Sequence, residues 1–143
     1  MNWKRTVTLS VLLLCIFVTS GGALAQGKTH HVIFAVTSGD QEDWELSLAN
    51  MRNLLKGFGS DPYEVELVAF GPGIMILKSN SAVAKDIKAM QDKKVQFMAC
   101  ENSMKFHNLT LADLLSDVHP VPSGIVELVT RQEQGWIYIK GGR

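Results

Sequence analysis

Cys100 is the residue best placed by its neighbours to do covalent chemistry. It closes the apolar run Val95–Cys100 (VQFMAC), and Glu101-Asn102-Ser103 follows as a helix or turn start. Backbone amides at such a start favour an anion and so stabilise thiolate over thiol. A thiolate there can attack a sulfane sulfur or a disulfide, and it can carry a persulfide. Glu101, next in sequence, opposes thiolate formation if its carboxylate turns inward. Unpaired cysteine is also a common buried packing residue, so position alone leaves reactive and inert readings open.

Around this cysteine the candidate ligand-binding positions are Gly39, Gly71, Gly73, Asn102 and Ser103. All lie in strand-end segments, where small residues let backbone amides approach a ligand; tight turns explain the glycines equally well. His107, seven residues on, is a candidate base. His30 and His31 fall at the opposite end of the sheet, so a joint metal site with His107 is not expected. No Ser/His/Asp set in a recognisable motif, P-loop or dinucleotide fingerprint is present, and neither a cofactor nor a metal is expected.

The elements that must position these residues alternate. His31–Thr37 (HVIFAVT) is a continuous apolar run, the pattern of a strand covered on both faces. Trp44, Leu48, Met51, Leu55 and Phe58 then recur at helical spacing, between Asp40 as N-cap and Gly59 as stop. Tyr63–Phe70 reads as a second strand, ended by Gly71-Pro72-Gly73. The apolar stretch Ile74–Leu77 has no place in the alternation and is a candidate interface. A helix capped by Asn80 or Ser81 follows, with Val83, Ile87 and Met90 on its apolar face. After the third strand, Thr110 and Asp113 have capping-box spacing. Val118–Val121 reads as a strand near an edge because it contains Pro120. Ser123-Gly124 opens a last helix, and Trp136–Lys140 is a fifth strand. Five strands alternating with helical segments predict a three-layer α/β/α domain with a mainly parallel sheet.

The chain has 143 residues with 14 basic and 14 acidic side chains. That balance argues against nucleic-acid binding, which requires a basic excess. The N-terminus has Lys4 and Arg5, an apolar run over Val7–Val18 and the small-residue site Ala23-Leu24-Ala25. This is the layout of a secretory signal over residues 1–25, and the run is too short to span a membrane. The mature domain is then 26–143, exported to the periplasm or secreted, with no membrane attachment after cleavage. Cleavage also removes Cys15 and leaves Cys100 as the sole thiol. It is therefore buried and inert, paired between chains, or chemically active.

The segments HVIFAVTSGD, EVELVAFGPGI, VQFMACENSM and VPSGIVELVTRQEQGWIYIK resemble the DsrE/DsrF-like sulfur-relay family over roughly His31–Lys140. The resemblance implies a compact α/β/α domain and a homo-oligomer, a trimer or hexamer. It also implies persulfide transport on the cysteine matching Cys100, with a sulfur donor or acceptor protein as partner. On this reading the chain is at most a sulfur carrier or transferase-like protein. The alternatives are a non-catalytic oligomeric module that binds a small anion or metabolite at the strand ends, and an oligomer in which Cys100 is only packed.

Overall fold

A computed structural model describes residues 27–143. The signal sequence read at residues 1–25 lies outside the described residues. The chain order is β1 (His30–Val36), α1 (Gln41–Phe58), β2 (Tyr63–Ala69), a 3-10 segment (Gly71–Leu77), α2 (Ala84–Gln91) and β3 (Gln96–Cys100). It continues through α3 (Glu101–Phe106), a 3-10 turn (Leu111–Asp113), β4 (Val118–Val121), α4 (Gly124–Glu133) and β5 (Ile137–Lys140).

The sheet is all parallel, in the order β4-β3-β2-β1-β5. This order dictates the layering. From β1 to β4 the chain steps in one direction, so right-handed crossovers put α1, α2 and the first 3-10 segment on one face. From β4 to β5 it returns across the sheet, and the same handedness puts α4 on the other face. The three-layer parallel architecture read from the sequence is the one observed.

Both faces of β1 are covered, because successive side chains alternate. Val32, Phe34 and Val36 join the core beneath α1 and α2, while Ile33 and Ala35 join a smaller core beneath α4. Trp44, Leu48, Met51 and Leu55 of α1 are buried in the larger core. Gly59 stops α1 at a φ of 60°, a conformation that costs glycine little. The edge positions also agree: β4, with Pro120, borders the sheet on one side and β5 on the other.

Two local readings are corrected, and a third is refined. Ile74, Ile76 and Leu77 are fully buried in the larger core, so this stretch is packing and not an interface. The sequence pattern hid this because a 3-10 segment has neither of the usual periodicities. The residue capping α2 is Val83, because Ser81 closes a preceding turn through its carbonyl to the Ala84 amide at 3.1 Å. The Thr110–Asp113 capping box does form, but it caps a three-residue 3-10 turn.

Candidate functional site

Cys100 ends β3 at the C-terminal edge of the sheet, and the chain passes from it directly into α3. The residue is 4% exposed and unpaired. Burial pushes its thiol up, but four donors outweigh that and hold it below the ordinary thiol value: the Ser103 hydroxyl and the amides of Gly124, Ser103 and Asn102. Three come from Asn102 and Ser103 in the first turn of α3. The Gly124 amide comes from the first residue of α4, on the opposite face of the sheet. Position 124 has to be glycine for close packing, since a Cβ there would lie 2.9 Å from the Phe70 Cβ.

Ser103 links two loops. Its Oγ accepts the Gly71 N–H at 2.7 Å, and its hydroxyl is the group that most lowers the Cys100 thiol. Cys100, Asn102, Ser103 and Gly71 therefore converge as one cluster. Gly39 stands one loop further out, where a Cβ would lie 3.3 Å from Pro72. Gly73 is buried, donates to the Thr37 carbonyl at 3.0 Å and lies so close to the Val36 carbonyl that any side chain would collide with it. Its present work is packing of the 3-10 segment on β1.

Glu101 is turned to other neighbours. It lines a shallow cleft of about 270 Å³ with Met104, Lys105, Leu109, Leu111 and Pro120, which Cys100 does not line. His107 closes α3, with its ring edge-on to Phe106. His30 and His31 begin β1 at the other end of the sheet, beside Asp61 and Glu64 respectively. No group of three or more metal-ligating side chains occurs among the described residues.

Gly124 is the member of the cluster that reading by segment missed. Its signal was present, since Pro122-Ser123-Gly124 is itself a strand end, but nothing in the sequence said that this loop lies beside β3. The adjacency follows from the pairing of Cys100 with Val121 across β3 and β4.

An all-parallel α/β domain with a buried cysteine at the sheet's C-terminal edge is the class that fold and site define. The DsrE/DsrF-like family model matches residues 30–140, and the chain belongs to that family. Among solved structures it is similar to a protein of unknown function, MTH1491, from Methanobacterium thermoautotrophicum. The two share 32% sequence identity with a TM-score of 0.74, over 78% of this chain and 98% of that one. No curated protein matches the chain.

Proposed function

We propose that this protein binds or relays sulfane sulfur as a persulfide on Cys100. The observation that carries the reading is the place of Cys100, at the C-terminal end of β3 and directly before α3, where the Ser103 hydroxyl and the amides of Gly124, Ser103 and Asn102 hold its thiol below the ordinary value despite burial. Packing a cysteine requires no such donors, whereas holding a thiolate does.

The chemistry balances without an oxidant. The Cys100 thiolate attacks the terminal sulfur of a donor persulfide. A sulfur–sulfur bond forms to Cys100, the donor's sulfur–sulfur bond breaks, and the donor leaves as a thiolate with the electron pair. Attack on the terminal sulfur by an acceptor thiolate reverses the step and returns Cys100 as thiolate. The Asn102, Ser103 and Gly124 donors stabilise Cys100 both as nucleophile and as leaving group.

The proposal includes export, on the signal layout at residues 1–25, and self-association. Ile125, Val126 and Val129 of α4 and Tyr138 of β5 are exposed apolar side chains on the same side of the sheet, and they are where we place the contact between copies. The test is alkylation of the folded protein at neutral pH. Reaction of Cys100 faster than an unperturbed thiol of similar exposure supports the reading. Reaction confined to the unfolded chain means that Cys100 is a packing residue and the sulfur-carrier reading fails.

A further inference from the structure

Glu66 sits in the middle of β2, faces α4 and is wholly buried. Among the described residues its one ion-pair partner is Arg131 of α4, with Nη2 2.9 Å from Oε2, and Arg131 is shared with Glu127 at 2.8 Å. Neither Glu66 oxygen has an aligned hydrogen-bond donor among the described residues. The guanidinium also lies 4.7 Å above the Trp136 ring. A buried pair satisfied this incompletely is poor value for stability, since an apolar pair of similar volume would do as well or better. What it does provide is a fixed place for α4 along the sheet.

The other end of the same helix bears on the candidate site: Cys100 pairs with Val121, α4 begins three residues later at Gly124, and the Gly124 amide is among the groups that lower the thiol. The pairing of Glu66 with Gln96 puts Glu66 four residues before Cys100 along the sheet, roughly 13 Å away. The ten residues of α4 span roughly 15 Å, enough to connect the two. We infer that Glu66 is a positioning residue for Cys100: its ion pair with Arg131 fixes α4 so that the Gly124 N–H stays on the sulfur. This rests on the reading that the Cys100 thiolate is the working species.

The carboxyl is pushed up to about 7, by burial first and by Glu127, against the pull of Arg131. The anchor therefore forms as pH rises through neutrality. The charged groups around Glu66 are Arg131 and Glu127 on α4, Glu64 on its own strand, His31 on β1 (paired with Glu64 at 3.2 Å) and Lys94 before β3, which shares a cleft with Arg131.

The sign of the effect separates positioning from field. Removing a negative charge by Glu66→Gln, acting through space, favours the Cys100 thiolate and lowers its pKa. Loss of the anchor removes a donor and raises it. The experiment is the pH profile of Cys100 alkylation by iodoacetamide, with thermal unfolding as the fold control. The expected result is a raised thiol pKa and alkylation at pH 7 slowed by about threefold or more, the equivalent of roughly half a pKa unit. A thiol pKa unchanged or lowered in folded Glu66→Gln overturns the inference. Glu66→Asp keeps the charge but shortens the reach. It is expected to slow alkylation too, and a wild-type profile there also overturns the inference. Because the readout is thiol reactivity, it fails or succeeds independently of whether a persulfide forms.

Discussion

The Gly71 amide donates to the Ser103 Oγ at 2.7 Å, and this holds the Ser103 side chain in place across the two segments. The same hydroxyl is the group that most lowers the Cys100 thiol. The loop after β2 thus orients a donor carried by α3, and the thiol's acidity depends on two loops that are 32 residues apart in sequence.

Ser103→Ala is expected to raise the Cys100 pKa and slow alkylation at pH 7 by about tenfold, the size of one lost hydrogen bond to a charged group. It also strands the Gly71 amide, at a cost of about 1–3 kcal/mol where water does not replace the hydroxyl. Iodoacetamide kinetics and urea unfolding check the two effects separately. An unchanged alkylation rate means that the hydroxyl does not act on the sulfur.

Gly124→Ala places a methyl against Phe70. Either α4 or Phe70 must shift, so the substitution is expected to destabilise the fold by about 1–3 kcal/mol, as overpacking does. Thiol reactivity should fall with it, because the shifted amide is the one facing Cys100. A variant that unfolds like the parent and alkylates like it contradicts this placement of α4.

Leu48 is wholly buried in the larger core beneath α1. Leu48→Ala is expected to cost about 2–5 kcal/mol in denaturant unfolding. A loss below about 1 kcal/mol would mean that α1 does not pack on the sheet in this way.

Stability should depend on pH through Glu66. Its carboxyl is raised from 4.5 to about 7 in the folded chain, so between those values the folded state holds a proton that the unfolded state has released. Folded stability therefore falls as pH rises from about 4.5 to 7, and the contribution is complete below that window. The size is roughly 3 kcal/mol from the linkage relation. In Glu66→Gln this decline should vanish, which urea unfolding across the pH range will show.

The sequence carried the architecture well because the strong signals were local. The unbroken apolar run of β1 required cover on both faces, and the spacing of Trp44, Leu48, Met51 and Leu55 fixed the buried face of α1. Cys100 and the small residues at the strand ends were legible for the same reason. What stayed hidden depended on pairing. Gly124 reaches Cys100 because β4 lies beside β3, and Glu66 looks like an ordinary exposed charge in YEVELVA until α4 crosses over it. The Ile74–Leu77 stretch was misread because its 3-10 geometry gives no period by which to assign it a buried face.

Persulfide loading separates a Cys100 that carries sulfur from one that is only packed. The folded protein is incubated with glutathione persulfide, and its intact mass is measured beside that of Cys100→Ser. The expected result is a gain of one sulfur atom on the parent and none on the variant, with the added sulfur lost again to an acceptor thiol. No gain on a folded parent, or an equal gain on Cys100→Ser, contradicts the assignment of Cys100 as a sulfur carrier.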